Sequence, residues 1–343
     1  MFWTVAGEGR GTPAADHARV YFLSKRHEVV AVDVETGAVH WRTRTGATDG
    51  QTSGALVLLQ RGLAIAGDEE VLALDVETGA MRWRFARPGE GLGVYLGAAA
   101  DGLVFTGSRA GKLYAIDATS GRERWHVQVD AGPDSTVFPP IAARDSVVAG
   151  FSGVGSPRSS GLLAVERATG TERWRASFAG AAIGDFAKEF AGGPVAIGDE
   201  VIAADASGAI RGFRLRDGAL TWRVAEGATG DVPRQEFRAL AVAGGLLVAG
   251  SLEGWVTAYD SRTHRQRWRV RPIASSVSFG LACDEGAVYV PYLSGHLVAL
   301  RLDDGGERWR TSMGARGFSW VPLSFGGRLY AAASTAGFFA FMP

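Results

Sequence analysis

Two stretches of this 343-residue sequence follow a Gly-Asp pair with an acid beside a phenylalanine. "AGAAIGDFAKEF" (179–190) carries Asp185, Glu189 and Phe190, and "GATGDVPRQEF" (227–237) carries Asp231, Arg234, Glu236 and Phe237. Rings supply contact area and carboxylates supply orientation, so a rim of both suits the capture of a peptide or an Arg-rich segment. Tyr95, Phe138, Phe279 and Trp320 fall at comparable places and complete the candidate partner-binding rim. The competing role for these rings is to cap an apolar core.

Catalytic chemistry has no comparable signal. The histidines (His17, His27, His40, His126, His264 and His296) occupy unrelated positions, which points to surface or turn roles. No paired carboxylates, nucleophile–His arrangement or metal-spaced His cluster stands out, so no catalytic, cofactor-binding or metal residue is expected. Cys283 is the only cysteine, which excludes an intramolecular disulfide and a thiolate zinc cluster. The 36 basic residues balance 36 acidic ones, so no bulk field favours nucleic acid or an anionic membrane. No apolar stretch approaches the length of a membrane span. The opening "MFWTVAGEGRGTP" lacks the basic start and apolar core of a signal peptide. The expectation is a monomeric cytoplasmic protein, or a periplasmic or extracellular one if a leader precedes these residues.

The elements that must position the rim repeat along the chain. "VVAVDVETGAVHW" (29–41) returns as "VLALDVETGAMRW" (71–83), "LYAIDATSGRERW" (113–125) and "LLAVERATGTERW" (162–174). Weaker copies end at Trp222, Trp268 and Trp309, and the separations from Trp41 onward are 42, 42, 49, 48, 46 and 41 residues. That period belongs to four-stranded propeller blades. In the third copy "LGAAADG", "LVFTGS", "KLYAID" and "RERWHV" read as four short strands, A to D, separated by turn residues. The chain ends on strands A to C of a further unit and begins with a lone D-like strand carrying Trp3. Residues 1–6 are therefore expected to complete the last blade and close the ring. The fold expected is one all-β domain over 1–343, an eight-bladed propeller of four-stranded antiparallel blades.

Each conserved feature of the repeat has a physical reading. A small residue ends strand C (Ala31, Ala73, Ala115, Ala164, Gly212, Ala258, Ala299 and Ala340), leaving room for the tryptophan ten residues on. The series Trp3, Trp41, Trp83, Trp125, Trp174, Trp222, Trp268 and Trp309 is read as blade-to-blade packing. Asp33, Asp75 and Asp117 suit Asx turns, and Gly37, Gly79, Gly121 and Gly170 suit a positive φ in the C–D hairpin. His264 replaces that glycine in the sixth unit, where a strained turn is expected. Arginines flank the tryptophans (Arg82, Arg84, Arg124, Arg173, Arg175, Arg223, Arg267, Arg269, Arg308 and Arg310), and edge protection is preferred to a nucleic-acid belt.

The pattern A-x-D-x-x-T-G-x-x-x-W at Ala31–Trp41 and Ala73–Trp83, and its near copy at Ala115–Trp125, resembles the repeat of pyrroloquinoline-quinone-type β-propellers. The resemblance implies eight blades interlocked by tryptophans. It divides functionally into quinone-dependent alcohol or sugar dehydrogenases and non-catalytic members similar to the propeller lipoprotein of the outer-membrane β-barrel assembly machinery. The dehydrogenases hold calcium with acids and an Asn and cover the quinone with adjacent cysteines, whereas this sequence contains no Asn and one Cys. The resemblance therefore implies a non-catalytic scaffold or sensor that binds a protein or peptide through its D–A and B–C loops, without a cofactor. The alternative is a quinone-dependent dehydrogenase.

Overall fold

The computed structural model describes residues 2–5, 9–46, 56–67, 69–93, 96–129, 135–153, 160–177, 193–204, 209–225, 236–278, 280–313, 321–333 and 337–342. The chain is an all-β, eight-bladed propeller of four-stranded antiparallel blades. Blade 3 is representative, with strand A at Leu96–Ala100, B at Leu103–Thr106, C at Lys112–Asp117 and D at Glu123–Gln128. These are the four strands its sequence predicts. The middle of strand C is buried throughout, whereas strand D alternates half-buried and exposed residues. A strand covered on both faces needs a continuous apolar run, and one covered on a single face needs alternation.

Contact density divides the chain into Trp3–Ala179, which holds blades 1 to 4, and Gly180–Pro343 with Met1–Phe2, which holds most of blades 5 to 8. In the first unit, Thr12 and Leu56 pair in parallel and join blades 1 and 2 into one eight-stranded sheet. Strand A of blade 4 is split into Thr136–Val137 and Ile141–Ala143, both paired to Ser146–Ser152. Pro139 and Pro140 lie in the gap, where two residues without N–H groups cannot continue a ladder. The last sheet runs Leu323–Phe325, Arg328–Ala333 and Gly337–Phe341, with Trp3–Val5 as its fourth strand. The Phe2 N–H also donates to the Ala340 carbonyl at 2.8 Å. The expected closing strand is in place.

Core clusters form between successive blades. Phe105, Leu113 and Ala115 of blade 3 pack with Val147, Leu163 and Val165 of blade 4, and comparable clusters join blades 6 and 7. The tryptophans lock these layers at the outer strand. Ala31, Ala73 and Ala115 are the cross-strand partners of Trp41, Trp83 and Trp125, as the ten-residue spacing requires. Each ring then reaches the C–D turn of the next blade. The indole N–H of Trp41 donates to the Val76 carbonyl at 3.0 Å, that of Trp83 to Ala118 at 2.8 Å and that of Trp268 to Leu302 at 2.8 Å. Trp3 joins the series through the Val34 carbonyl at 3.1 Å. A Cβ on Gly79, whose φ is +72°, would lie 2.6 Å from the Trp41 ring, so the turn glycine answers both its backbone angle and the ring beneath it.

The turn itself is held by its acid. One Asp33 oxygen accepts from the backbone N–H groups of Glu35 and Thr36 and from the Thr36 hydroxyl, at 3.0, 2.8 and 2.8 Å. Asp75, Asp117 and Asp260 repeat the arrangement. These are the Asx turns expected of the motif.

Candidate partner-binding face

An antiparallel blade places its D–A connection and B–C hairpin at one end and its A–B and C–D turns at the other. The expected rim lies at the first end, and the structure distributes its residues unevenly. Tyr95, Asp185, Glu189, Phe190, Asp231, Arg234, Phe279 and Trp320 lie outside the described residues. Phe138 is 1% exposed and Phe237 9% exposed, the latter packed with Ile202, Leu247 and Tyr259. These two rings cap the core and present little surface to a partner. Glu236 is half-buried, and its backbone N–H points to the Glu253 carboxylate at 3.3 Å.

The described part of this end centres on blades 6 and 7. The connection from Arg271 to Val277 runs between the B–C hairpins of the two blades and is bonded to both. Val277 N–H donates to Ser251 O and Leu293 N–H to Ser276 O, each at 3.0 Å. A Cβ on Gly254 (φ +90°) would lie 2.4 Å from the Ile273 carbonyl, so the hairpin turn and the connection touch at backbone distance. Trp255 stands at the edge of this layer, half-buried, with the Arg269 guanidinium 4.4 Å and the Arg271 guanidinium 5.8 Å from its ring centre. The Arg271 Nε–H donates to the Glu253 carbonyl at 2.8 Å. Leu293 at the tip of the next hairpin is 38% exposed. Trp255 carries no sequence signal beyond being one of two tryptophans outside the docking series.

Several of the arginines flanking the tryptophans are engaged with their own blades. Arg82 pairs with Asp75 at 2.6 Å, Arg173 with Asp145 at 2.7 Å and Arg175 with Glu172 at 2.9 Å. Arg84 and Arg175 each also donate to a carbonyl at the end of the preceding blade, Thr45 and Val129, at 2.6 Å. Their charge is matched by nearby acids and their donors join blades, which accords with edge protection.

A cleft of about 320 Å³ opens at the other end of blades 2 to 4, lined by Arg61, Asp101, Asp117, Asp145, Glu166 and Arg167 among others. Its acids are already occupied: Asp101 pairs with Arg167, Asp145 with Arg173, and Asp117 closes its own turn. Among the described residues no group of three or more His, Cys, Asp or Glu side chains could hold a metal ion. Cys283 lies in strand A of blade 7, where burial pushes its thiol up to about 12, so it stays protonated at neutral pH.

The family model described as outer membrane protein assembly factor BamB matches residues 2–150, 139–253 and 252–342. The chain belongs to this family. The assembly factor BamB of Burkholderia pseudomallei is 26% identical over 156 residues, covering 34% of this chain and 41% of that protein. The match thus spans about two fifths of that relative's length. The crystal structure of BamB from Moraxella catarrhalis superposes with a TM-score of 0.71 at 17% identity, over 98% of this chain and 96% of the other. A quinohemoprotein alcohol dehydrogenase from Pseudomonas putida HK5 also reaches 0.71, at 14% identity, over 98% and 71%. At such identities both likenesses show the fold alone. Among the described residues no helix is long and apolar enough to cross a membrane.

Proposed function

We propose that this protein is a non-catalytic, protein-binding scaffold that works in outer-membrane protein assembly and grips its partner with the D–A and B–C end of the propeller. The observation that carries the reading is the family match, which runs through all eight blades. A scaffold also suits the chemistry of the chain. Many of the described charged side chains serve turns and blade contacts, and its one thiol is half-buried and protonated. Cytoplasmic residence, expected from the opening residues, finds no support in a family described by the outer membrane. We place the protein on the periplasmic side, as a monomer within a larger assembly.

The test is made in the source bacterium. A tagged chain crosslinked in living cells is expected to trap components of the barrel-assembly machinery, and deletion of its gene to lower the folded β-barrel content of the outer membrane. Unaltered barrels together with a tagged chain confined to the cytoplasm would overturn the proposal. The dehydrogenase alternative is tested by adding the quinone with calcium. Saturable stabilisation with substrate-dependent dye reduction would establish it, and neither is expected.

A further inference from the structure

We infer that the outer edge of blade 6 and the adjoining hairpin of blade 7 form the anchor for an acidic peptide segment, with Arg271 taking a carboxylate and Trp255 and Leu293 an aliphatic neighbour. The inference rests on the scaffold reading and names the surface and the partner chemistry within it. Trp255 first sets this place apart, because it is half-buried at the partner-binding end and locks no blade. Trp and Arg are among the residue types enriched where binding energy concentrates at protein interfaces.

Arg271 supplies the charge. Its side chain is exposed, and no carboxylate among the described residues lies within ion-pair distance of it, whereas Arg82, Arg173 and Arg175 each have one. The Nε–H bond to the Glu253 carbonyl fixes the guanidinium and leaves its Nη edge for an incoming acceptor. A planar fork held this way takes a carboxylate in two parallel hydrogen bonds.

The surroundings restrict the ligand further. Arg269 occupies the space over the Trp255 ring at 4.4 Å, which leaves less of it for stacking a sugar or a base. Leu293 offers an aliphatic contact on the next hairpin. The Arg271–Val277 connection is hydrogen-bonded to both hairpins, so the surface is formed before a ligand arrives and little ordering is needed on binding.

Fluorescence anisotropy with a labelled peptide alternating Asp and Leu tests the assignment, with a Lys–Leu peptide and a single-stranded oligonucleotide as comparisons. The wild-type protein is expected to bind the acidic peptide, more weakly as salt rises, and to ignore the other two. R271E and W255A are each expected to weaken binding about 30-fold while the melting curve stays close to wild type. R271K, which keeps charge but loses the planar fork, is expected to fall between wild type and R271E. Equal binding by wild type and variants, no binding by wild type, or preference for the oligonucleotide would each overturn the anchor. If wild type ignores the peptide yet still crosslinks to the assembly machinery, this site fails and the scaffold reading stands. Loss of both would remove both.

Discussion

Gly212 and His264, on adjacent blades, hold positions that most other repeats fill with Ala and Gly. His264 adopts φ +58°, the left-handed angle its glycine counterparts use. Its imidazole lies against Trp222, with ring centres 4.1 Å apart and planes 21° apart. The Trp222 indole therefore cannot seat under the turn as Trp41 does. It lies instead over Gly212, where an added Cβ would be 2.2 Å from Nε1, and donates to the Glu200 carboxylate at 3.1 Å. The missing methyl on one blade accommodates the extra ring on the next. Gly212→Ala alone is expected to cost about 1–3 kcal/mol through overpacking. Combined with His264→Gly it should restore the common seat, so the double variant loses less than the sum of the singles by roughly 1 kcal/mol or more. Urea unfolding of the four proteins measures this, and strict additivity would rule out the compensation.

The C–D turn is the element that reads most clearly in the sequence and carries the acid sensitivity of the blades. Asp33, Asp117 and Asp260 are held below the ordinary carboxylate range, chiefly by the backbone N–H of the residue three positions on. Asp75 is lowered too, first by its hydrogen bond to Arg82. A carboxylate with a depressed folded-state pKa stabilises fully above its unfolded value, about 3.9, and loses that contribution as pH falls through the folded value. Melting temperature should therefore hold from pH 7 to about 5 and drop below about 4. Asp117→Asn, which removes the titrating charge, should start lower at neutral pH and decline less steeply in acid. Parallel curves would show that the turn acids do not set the acid limb. These turns were legible because one physical demand recurs: a small residue, an acid, a glycine and a ring at fixed spacing. The binding end was not, because its connections do not repeat. Phe138 and Phe237 look like rim aromatics in sequence, yet the start of strand A turns them into the core. Trp255 was marked only by standing outside the series, and Arg271 is one arginine among many.

At the scale of the molecule, a repeat array is stabilised by nearest-neighbour contacts, and an open array frays from its terminal repeats. Here the strand Trp3–Val5 comes from the start of the chain and belongs to the last sheet. Within the first unit, its Trp3 ring fills the seat beneath Gly37 of blade 1, with ring carbons 2.7 Å from where a Cβ would be. We propose on this basis that the 343 residues behave as one domain. Wild-type protein should melt in a single calorimetric transition, with calorimetric and van't Hoff enthalpies in agreement. Trp3→Ala removes a buried ring and a hydrogen bond to Val34, at a cost on the order of 3–5 kcal/mol. If Trp3 only packs locally, that variant will melt earlier but still in one step. If it closes the array, the variant will broaden or split into two transitions as the terminal blades fray. Trp83→Ala, mid-array, supplies the reference, because it loses a comparable ring and an indole bond to Ala118 without touching the closing strand. The closure proposal therefore stands on the difference between the two variants in transition width, and fails if they broaden alike.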